Sequence, residues 1–357
     1  MKISFFGSSL LSAYWNGAAT YYRGILSALF QRGHQIVFYE PDAWERQRHR
    51  DLTETAYAQS VVYPVDDDST VLEIVKKAAR ESDLLVKASG VGVFDTLLEE
   101  AVLELRGPDS IVAFWDVDAA ATLERIGQNA ADPFRSLIPL YDLVLTYGGG
   151  EAVVQSYRKL GAQRCFPIYN ALDPSTHHPA PADPSYDGAL SFLGNRLPDR
   201  EARVFEFFFG PARANPRMRF ILGGSGWEDA VPAYANVAYL GHVYTAAHNA
   251  FNSTPMAVLN VCRESMARCG YSPPTRLFEV AGAAGCLITD AWDGIERFLE
   301  PRRECLVAND GDDIGEQLRR LTRAQAKEIG QAALRRILGE HTYAHRAAEL
   351  ELLLQDL

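Results

Sequence analysis

At 357 residues the chain is too long for one ordinary hydrophobic core and suits two domains of about 170 residues each. Its 47% hydrophobic and 23% charged residues are the balance of a soluble globular protein, and no apolar run approaches the ~20 residues of a membrane span. A net charge of −11 argues against nucleic acid as a partner, because phosphate contacts dominate that affinity; an anionic ligand then needs local arginines and helix N-termini.

Along the chain, short β-rich apolar runs alternate with helical patterns, the signature of a parallel sheet wrapped by helices. The N-terminal residues 1–7 read as a strand and turn, not as a secretory segment. In the first half, strands are predicted over 3–6, 36–39, 61–63, 84–87, 111–114 and 143–146. Helices are predicted over 18–31, 70–81, 95–105 and 151–160. Residues 173–187 hold Pro174, Pro179, Pro181 and Pro184, too many for a strand or helix, and read as a semi-rigid linker. The pattern then restarts, with strands over 190–193, 219–223, 237–240, 257–261, 286–289 and 305–308. Helices follow over 199–209, 275–284, 312–321 and 324–338, and a last amphipathic segment, 341–354, carries Leu350, Leu353 and Leu354 on one face. Two α/β units predict ligand binding at strand C-terminal ends.

The five cysteines, 165, 262, 269, 286 and 305, are odd in number and lack zinc-ligand spacing, so reduced thiols, a cytoplasmic location and no metal are expected. The most informative segment is 273–290. Pro273 and Pro274 end a loop, Thr275 is placed to cap the following helix, and the small residues at 281–285 predict close packing on a strand. Glu279, one turn in, suits a ribose diol, while the helix N-terminus, with backbone at Ser272, Thr275, Arg276 and Leu277, suits a diphosphate. Arg276 opposes the usual first-turn preference for acids, as expected where an anion binds. In a second segment Gly194, Asn195, Arg196 and Arg200 follow a strand, the geometry that points backbone N–H groups at phosphate. Gly223, Gly224 and Ser225 follow another strand and allow close approach of backbone to a base, or form a simple flexible turn.

The run 275–285 resembles the donor-site helix of group-1 retaining glycosyltransferases. It is closer still to the spore-maturation glycosyltransferase-like branch, which carries a similar Arg-x-Phe-Glu-x-x-Ala-x-Gly stretch. A Glu-x7-Glu motif is common in that superfamily; its second Glu matches Glu279, and Tyr271 stands where the first would fall. Residues 141–146 with 157–162, 170–174 with Pro179, and 341–346 are similar, in order, to the last strand and helix of the N-domain, the interdomain crossing and the final helix. The resemblance implies the GT-B fold: α/β, with two Rossmann-like doubly wound domains facing a central cleft. It divides the chain into 1–172 (acceptor domain), 173–187 (linker), 188–338 (nucleotide-sugar domain) and 339–357 (a helix returning to the N-domain). It implies metal-independent transfer of a sugar, of hexosyltransferase type, from a nucleotide-diphosphate sugar, with no cofactor. The acceptor, whether carbohydrate, protein or small molecule, and the oligomeric state are left open.

On the acceptor side, Gly7, Ser8 and Ser9 end the first strand, and Asn16, Gly17 and Thr20 open the next helix, with Asn16 as its expected N-cap. His34, at the far turn, is expected to be structural. Asp116 and Asp118 form an Asp-x-Asp after an apolar strand, the metal–diphosphate motif of single-domain GT-A transferases. The restarted Rossmann pattern argues against that class, so both are expected to be cleft-facing catalytic carboxylates. The competing reading, that they cap the helix near Ala119, suits Asp118 better. Two alternatives complete the reading: a nucleotide-sugar-binding protein of this fold without turnover, and an oxidoreductase, disfavoured because the first turn lacks G-x-G-x-x-G.

Overall fold

The computed structural model describes residues 1–14 and 16–357, the side chain of residue 265 apart. The chain forms two compact units, Met1–Asn170 with Tyr343–Leu357, and Ala171–Thr342.

In the first unit, seven parallel strands run in the order β3-β2-β1-β4-β5-β6-β7. They are β1 (Lys2–Phe6), β2 (Gln35–Pro41), β3 (Gln59–Tyr63), β4 (Leu84–Ala88), β5 (Ile111–Asp116), β6 (Leu143–Thr146) and β7 (Cys165–Pro167). The helices between them are α1 (Ala19–Gln31), α2 (Asp68–Glu81), α3 (Asp95–Glu104), α4 (Ala119–Gln128), α5 (Phe134–Leu137) and α6 (Gly150–Lys159). Every residue of β4 is buried, as a central strand covered by helices on both faces requires. The strand even buries Lys87, whose ammonium ion pairs with Asp95 at 2.5 Å and Glu99 at 3.6 Å. Asp67 caps α2 through Thr70 N–H, which starts that helix two residues before the periodicity suggests. β7 is absent from the sequence prediction because three residues ending in proline carry no alternation to detect.

The second unit holds β8 (Leu190–Leu193), β9 (Phe220–Gly223), β10 (Val237–Gly241), β11 (Ala257–Asn260), β12 (Leu287–Asp290) and β13 (Leu306–Ala308). They too are parallel, in the order β10-β9-β8-β11-β12-β13. Its helices are α7 (Pro198–Val204), α8 (Gly210–Ala214), α9 (His248–Ser253), α10 (Glu264–Cys269), α11 (Thr275–Gly282), α12 (Gly311–Arg320) and α13 (Arg323–Glu340). The single helix expected over 199–209 is α7 followed by a π-helical turn, Phe205–Phe209, and α8. Pro211 offers no N–H and crowds the preceding turn, so widening there is the economical response.

The expected linker needs correction: residues 173–187 belong to the second unit and are tied to it. Asn249 of α9 donates to Thr176 C=O at 3.0 Å, and Thr254 accepts from Asp183 N–H at 3.0 Å. The last helix, α14 (Tyr343–Gln355), rejoins the first unit. Its Tyr343 hydroxyl donates to Asn170 at 2.6 Å, and its ring lies where a Cβ on Gly24 of α1 would come within 2.0 Å. Leu350 and Leu354 are buried, and Glu351 binds Arg32 and, at 2.9 Å, His34, which is thereby structural.

Both strand orders reverse direction beside their first strand, between β1 and β4 in one unit and between β8 and β11 in the other. Such switch points open a crevice at the strands' C-terminal ends.

Candidate functional site

In the second unit, the loops after β8 and β9 lock onto each other. Gly194 N–H donates to Gly223 C=O at 3.0 Å, and Arg196 N–H to Ser225 C=O at 3.0 Å. Asn195 Oδ1 accepts from Ser225 N–H at 3.0 Å, and the Trp227 indole donates to Gly194 C=O at 2.8 Å. Gly224, at φ +110°, has Gly194 O within 2.3 Å of where a Cβ would stand, and Gly223 has Leu193 at 2.7 Å. Loop-against-loop packing therefore accounts for both glycines, the simpler of the two readings. Arg196 is also committed. Its guanidinium bonds Glu201 and Asp229, each at 2.6 Å, and lies over the Trp227 ring. Expected as a phosphate ligand, it instead clamps the two loops.

The other arginines of this region divide sharply. Arg203 pairs with buried Asp290 at 2.6 Å and with Glu264 at 3.2 Å, and Arg263 pairs with Asp199 at 2.5 Å. Arg200 and Arg276, among the described residues, have no ion pair. Arg200 donates only to Asn195 C=O, at 2.9 Å, and packs over the Phe192 ring. Its Nε and the Nη1 of Arg276 are buried without a hydrogen-bond partner. Burial, and then the neighbouring Arg276 charge, pull the Arg200 pKa down to about 10. Burial likewise lowers that of Arg276, with Glu279 opposing. Two adjacent cations with unmet buried donors are costly unless an anion supplies the acceptors.

Arg276 and Glu279 stand on α11, whose N-terminus no side chain caps: the N-cap is Pro274, and Thr275, expected in that role, is the first helical residue. Leu277 contributes only backbone; its side chain is buried and its N–H donates to Pro274 C=O at 3.1 Å. Ser272 is buried, its hydroxyl donating to Gly270 C=O at 3.0 Å. The small residues after α11 serve helices more than a strand. A Cβ on Gly285 would lie 2.1 Å from Asn252 O of α9, and one on Gly330 of α13 the same distance from Ala284 O. The Glu279 carboxylate has no hydrogen bond or ion pair among the described residues, leaving both oxygens free to accept. Beside it sits His248, which sequence reasoning missed; burial holds its pKa low, against the pull of Glu279.

In the first unit, the two carboxylates expected as a catalytic pair are engaged in local bonds. Asp116 is fully buried. Its Oδ1 accepts from Ser89 Oγ at 2.8 Å, Asp118 N–H at 3.0 Å and Thr122 Oγ1 at 3.0 Å, and its Oδ2 accepts from Tyr157. Burial raises its pKa despite these donors. Asp118 is the N-cap of α4, accepting from Ala121 N–H at 3.4 Å. The Asp-x-Asp thus closes β5 and starts α4.

The β1–α1 loop is committed in the same way. Asn16 does not cap α1, whose N-cap is Ala18. It accepts from Ser8 Oγ at 2.9 Å and donates to the carbonyls of Ser9 and Ser12. Ser9 Oγ donates to buried Glu40 at 3.1 Å, and Glu40 also accepts from Leu10 N–H at 2.6 Å. Gly7 is glycine because the Phe38 ring comes within 2.5 Å of a Cβ there. Of the six acceptor-side residues, Gly17 and Thr20 alone are exposed.

Residues 200–351 match the family model described as "Glycosyl transferase-like". No curated protein matches the chain. Among solved structures, a sucrose-phosphate synthase from Thermosynechococcus elongatus is similar at 13% identity and a TM-score of 0.71, over 100% of this chain and 98% of that one. Anabaena HepE in complex with UDP is similar at 13% identity and 0.70, over 100% of both chains. T4 phage BGT with its UDP-glucose substrate is similar at 12% and 0.61, over 99% of both. The fold is GT-B. In this GT-B chain Arg200 of α7 and Arg276 of α11 keep buried nitrogens without an acceptor, while Asp116 of the first unit's Asp-x-Asp is bonded internally. Glu40 and Lys87, which organise the first unit's loops, left no sequence signal beyond being charges inside apolar strands.

Proposed function

We propose that this chain is a metal-independent glycosyltransferase that takes a hexose from a nucleoside-diphosphate donor, akin to the spore-maturation branch that α11 resembles, and acts in the cytoplasm. The observation that carries this is Arg200 of α7 beside Arg276 at the uncapped N-terminus of α11, both without an ion pair, with a free Glu279 one turn after Arg276. The diphosphate is held by the two guanidinium groups and the helix N-terminus, and the ribose diol by Glu279. Those cations stabilise the diphosphate as it leaves, which is where charge develops in glycosyl transfer. The UDP and UDP-glucose bound by similar structures make UDP-glucose the first donor to try.

The test is thermal stabilisation by UDP, GDP, dTDP, ADP and CDP. A ligand at 100 times its dissociation constant adds about 2.7 kcal/mol, so one of the five raises the melting temperature clearly. No shift with any of them overturns the proposal. The buried, fully bonded Asp116 favours a second reading, a donor-binding protein without turnover. Stabilisation by a diphosphate with no release of it from the matching sugar nucleotide, alone or with candidate acceptors, selects that reading.

A further inference from the structure

The first unit buries a cation at its own switch point. After β2 the chain enters a basic segment, Arg46, Arg48, His49 and Arg50, inside a protein of net charge −11. Arg48 pairs with Glu45 at 3.0 Å, and Arg50 donates to Gln47 at 2.7 Å. Arg46 turns inward instead and is 7% exposed. Its Nη1 donates to Ser8 C=O at 3.2 Å and to Val91 C=O at 3.3 Å. The guanidinium therefore bridges the loops after β1 and β4, the strands between which the order reverses. Its Nε is buried without an acceptor, and among the described residues it has no ion pair. The acids of these segments are engaged elsewhere. Glu40 accepts from Ser9, Leu10 and Gln47, and Asp95, which accepts from Gly92 N–H, pairs with Lys87. Two carbonyls hold a guanidinium in place without neutralising it, and burying a cation without a counter-charge is costly.

Just before Arg46 the backbone is strained. Trp44 and Glu45 both adopt the left-handed conformation, at φ +57° and +56°, which is unfavourable for side chains of their size. Trp44 is nonetheless 61% exposed. Its indole edge rests on Gly92, where a Cβ would stand 2.9 Å from Nε1. No burial offsets the strain; its result is a large aromatic face held open to water, one residue along from the Val91 carbonyl that anchors Arg46.

We propose that Arg46 and Trp44 form a site for an anionic sugar in the first unit, the guanidinium binding its phosphate or carboxylate and the indole covering the C–H face of the pyranose. With Nη1 taken, the Nε–Nη2 edge is the one left to match two anion oxygens. The ring supplies apolar area at low entropic cost. The site stands on this unit's own residues; that its ligand is the acceptor, which is then an acidic sugar, rests on the transferase reading above.

The experiment is calorimetric titration of the full chain with glucose 6-phosphate, glucuronate and glucose. Each is added to the chain alone and to the chain saturated with the most stabilising diphosphate of the five. At least one anionic sugar is expected to bind in both conditions, and glucose about tenfold more weakly or worse, the size of a hydrogen bond to a charged group. The tighter of the two anionic sugars tells phosphate from carboxylate. Arg46→Lys, which keeps the charge and loses the planar fork, is expected to weaken that sugar about tenfold. Trp44→Ala is expected to weaken it about fivefold, and both variants leave diphosphate affinity unchanged. If Arg46→Lys does not fold, Trp44→Ala, on an exposed side chain, decides alone. Failure of both anionic sugars to bind, glucose binding as tightly as they do, or an affinity unaltered in either variant overturns the proposal. So does loss of the sugar when diphosphate is present, which assigns it to Arg200 and Arg276. An anionic sugar bound with these sensitivities by a chain that binds no diphosphate overturns the donor reading and leaves this site standing.

Discussion

The end of β5 and the start of α11 look alike as sequence: each sets charged residues where a strand or loop meets a helix at the C-terminal side of a parallel sheet. Their surroundings are opposite. Asp116 receives four donors from its own unit, whereas Arg200 and Arg276 retain buried nitrogens with no acceptor. A charge at a strand end is therefore weak evidence of a site. An unmet partner is stronger, because folding alone gives no reason to bury a donor and leave it unbonded.

The largest expected effect tests the first half of that contrast. Asp116→Ala strands three hydroxyls and an amide, and should cost about 3 kcal/mol or more of stability in urea unfolding. Its diphosphate affinity should match that of the unaltered chain. A stable Asp116→Ala protein with lost transfer activity would return this carboxylate to the chemistry.

Arg200→Ala should behave in reverse. It removes a cation that no acid partners, so the melting temperature holds, while diphosphate affinity falls by about 1.5–3 kcal/mol. Glu279→Ala should fall by a similar amount, and should do so for diphosphates with a ribose but not for inorganic pyrophosphate. Affinities unaltered in both variants would misplace the site.

Asp118→Ala loses only a helix cap, about 1 kcal/mol of stability, with no change in ligand binding. The smallest effect lies at α14. Arg32 first, with His34 adding, holds the Glu351 carboxyl at about 2, below its ordinary 4.5. A depressed carboxyl stabilises the fold fully above about 4.5 and loses that contribution as pH falls toward 2. Melting temperature measured across that window should fall less steeply in Arg32→Ala than in the unaltered chain.

Much of this was readable in advance. The alternating runs located twelve of the thirteen strands, because fully buried parallel strands are apolar throughout and stand out between amphipathic helices. α11 was legible because proline, small residues and a charged first turn are local signals. Asn16 was not: an asparagine before a helix is a sound cap by local rules, yet its side chain is taken up by Ser8, Ser9 and Ser12.

Chain chemistry alone sufficed for the two α/β units and a basic, glycine-bearing segment ahead of Glu279, since each depends on periodicity or on residues a few positions apart. Partnership required the folded molecule. Whether Arg196 or Arg200 keeps its charge available depends on Asp229, thirty-three residues away from Arg196; whether Asp116 is free depends on Ser89 and Tyr157, at separations of 27 and 41 residues. Hydrogen bonds act over about 3 Å, and only tertiary packing brings such distant residues that close.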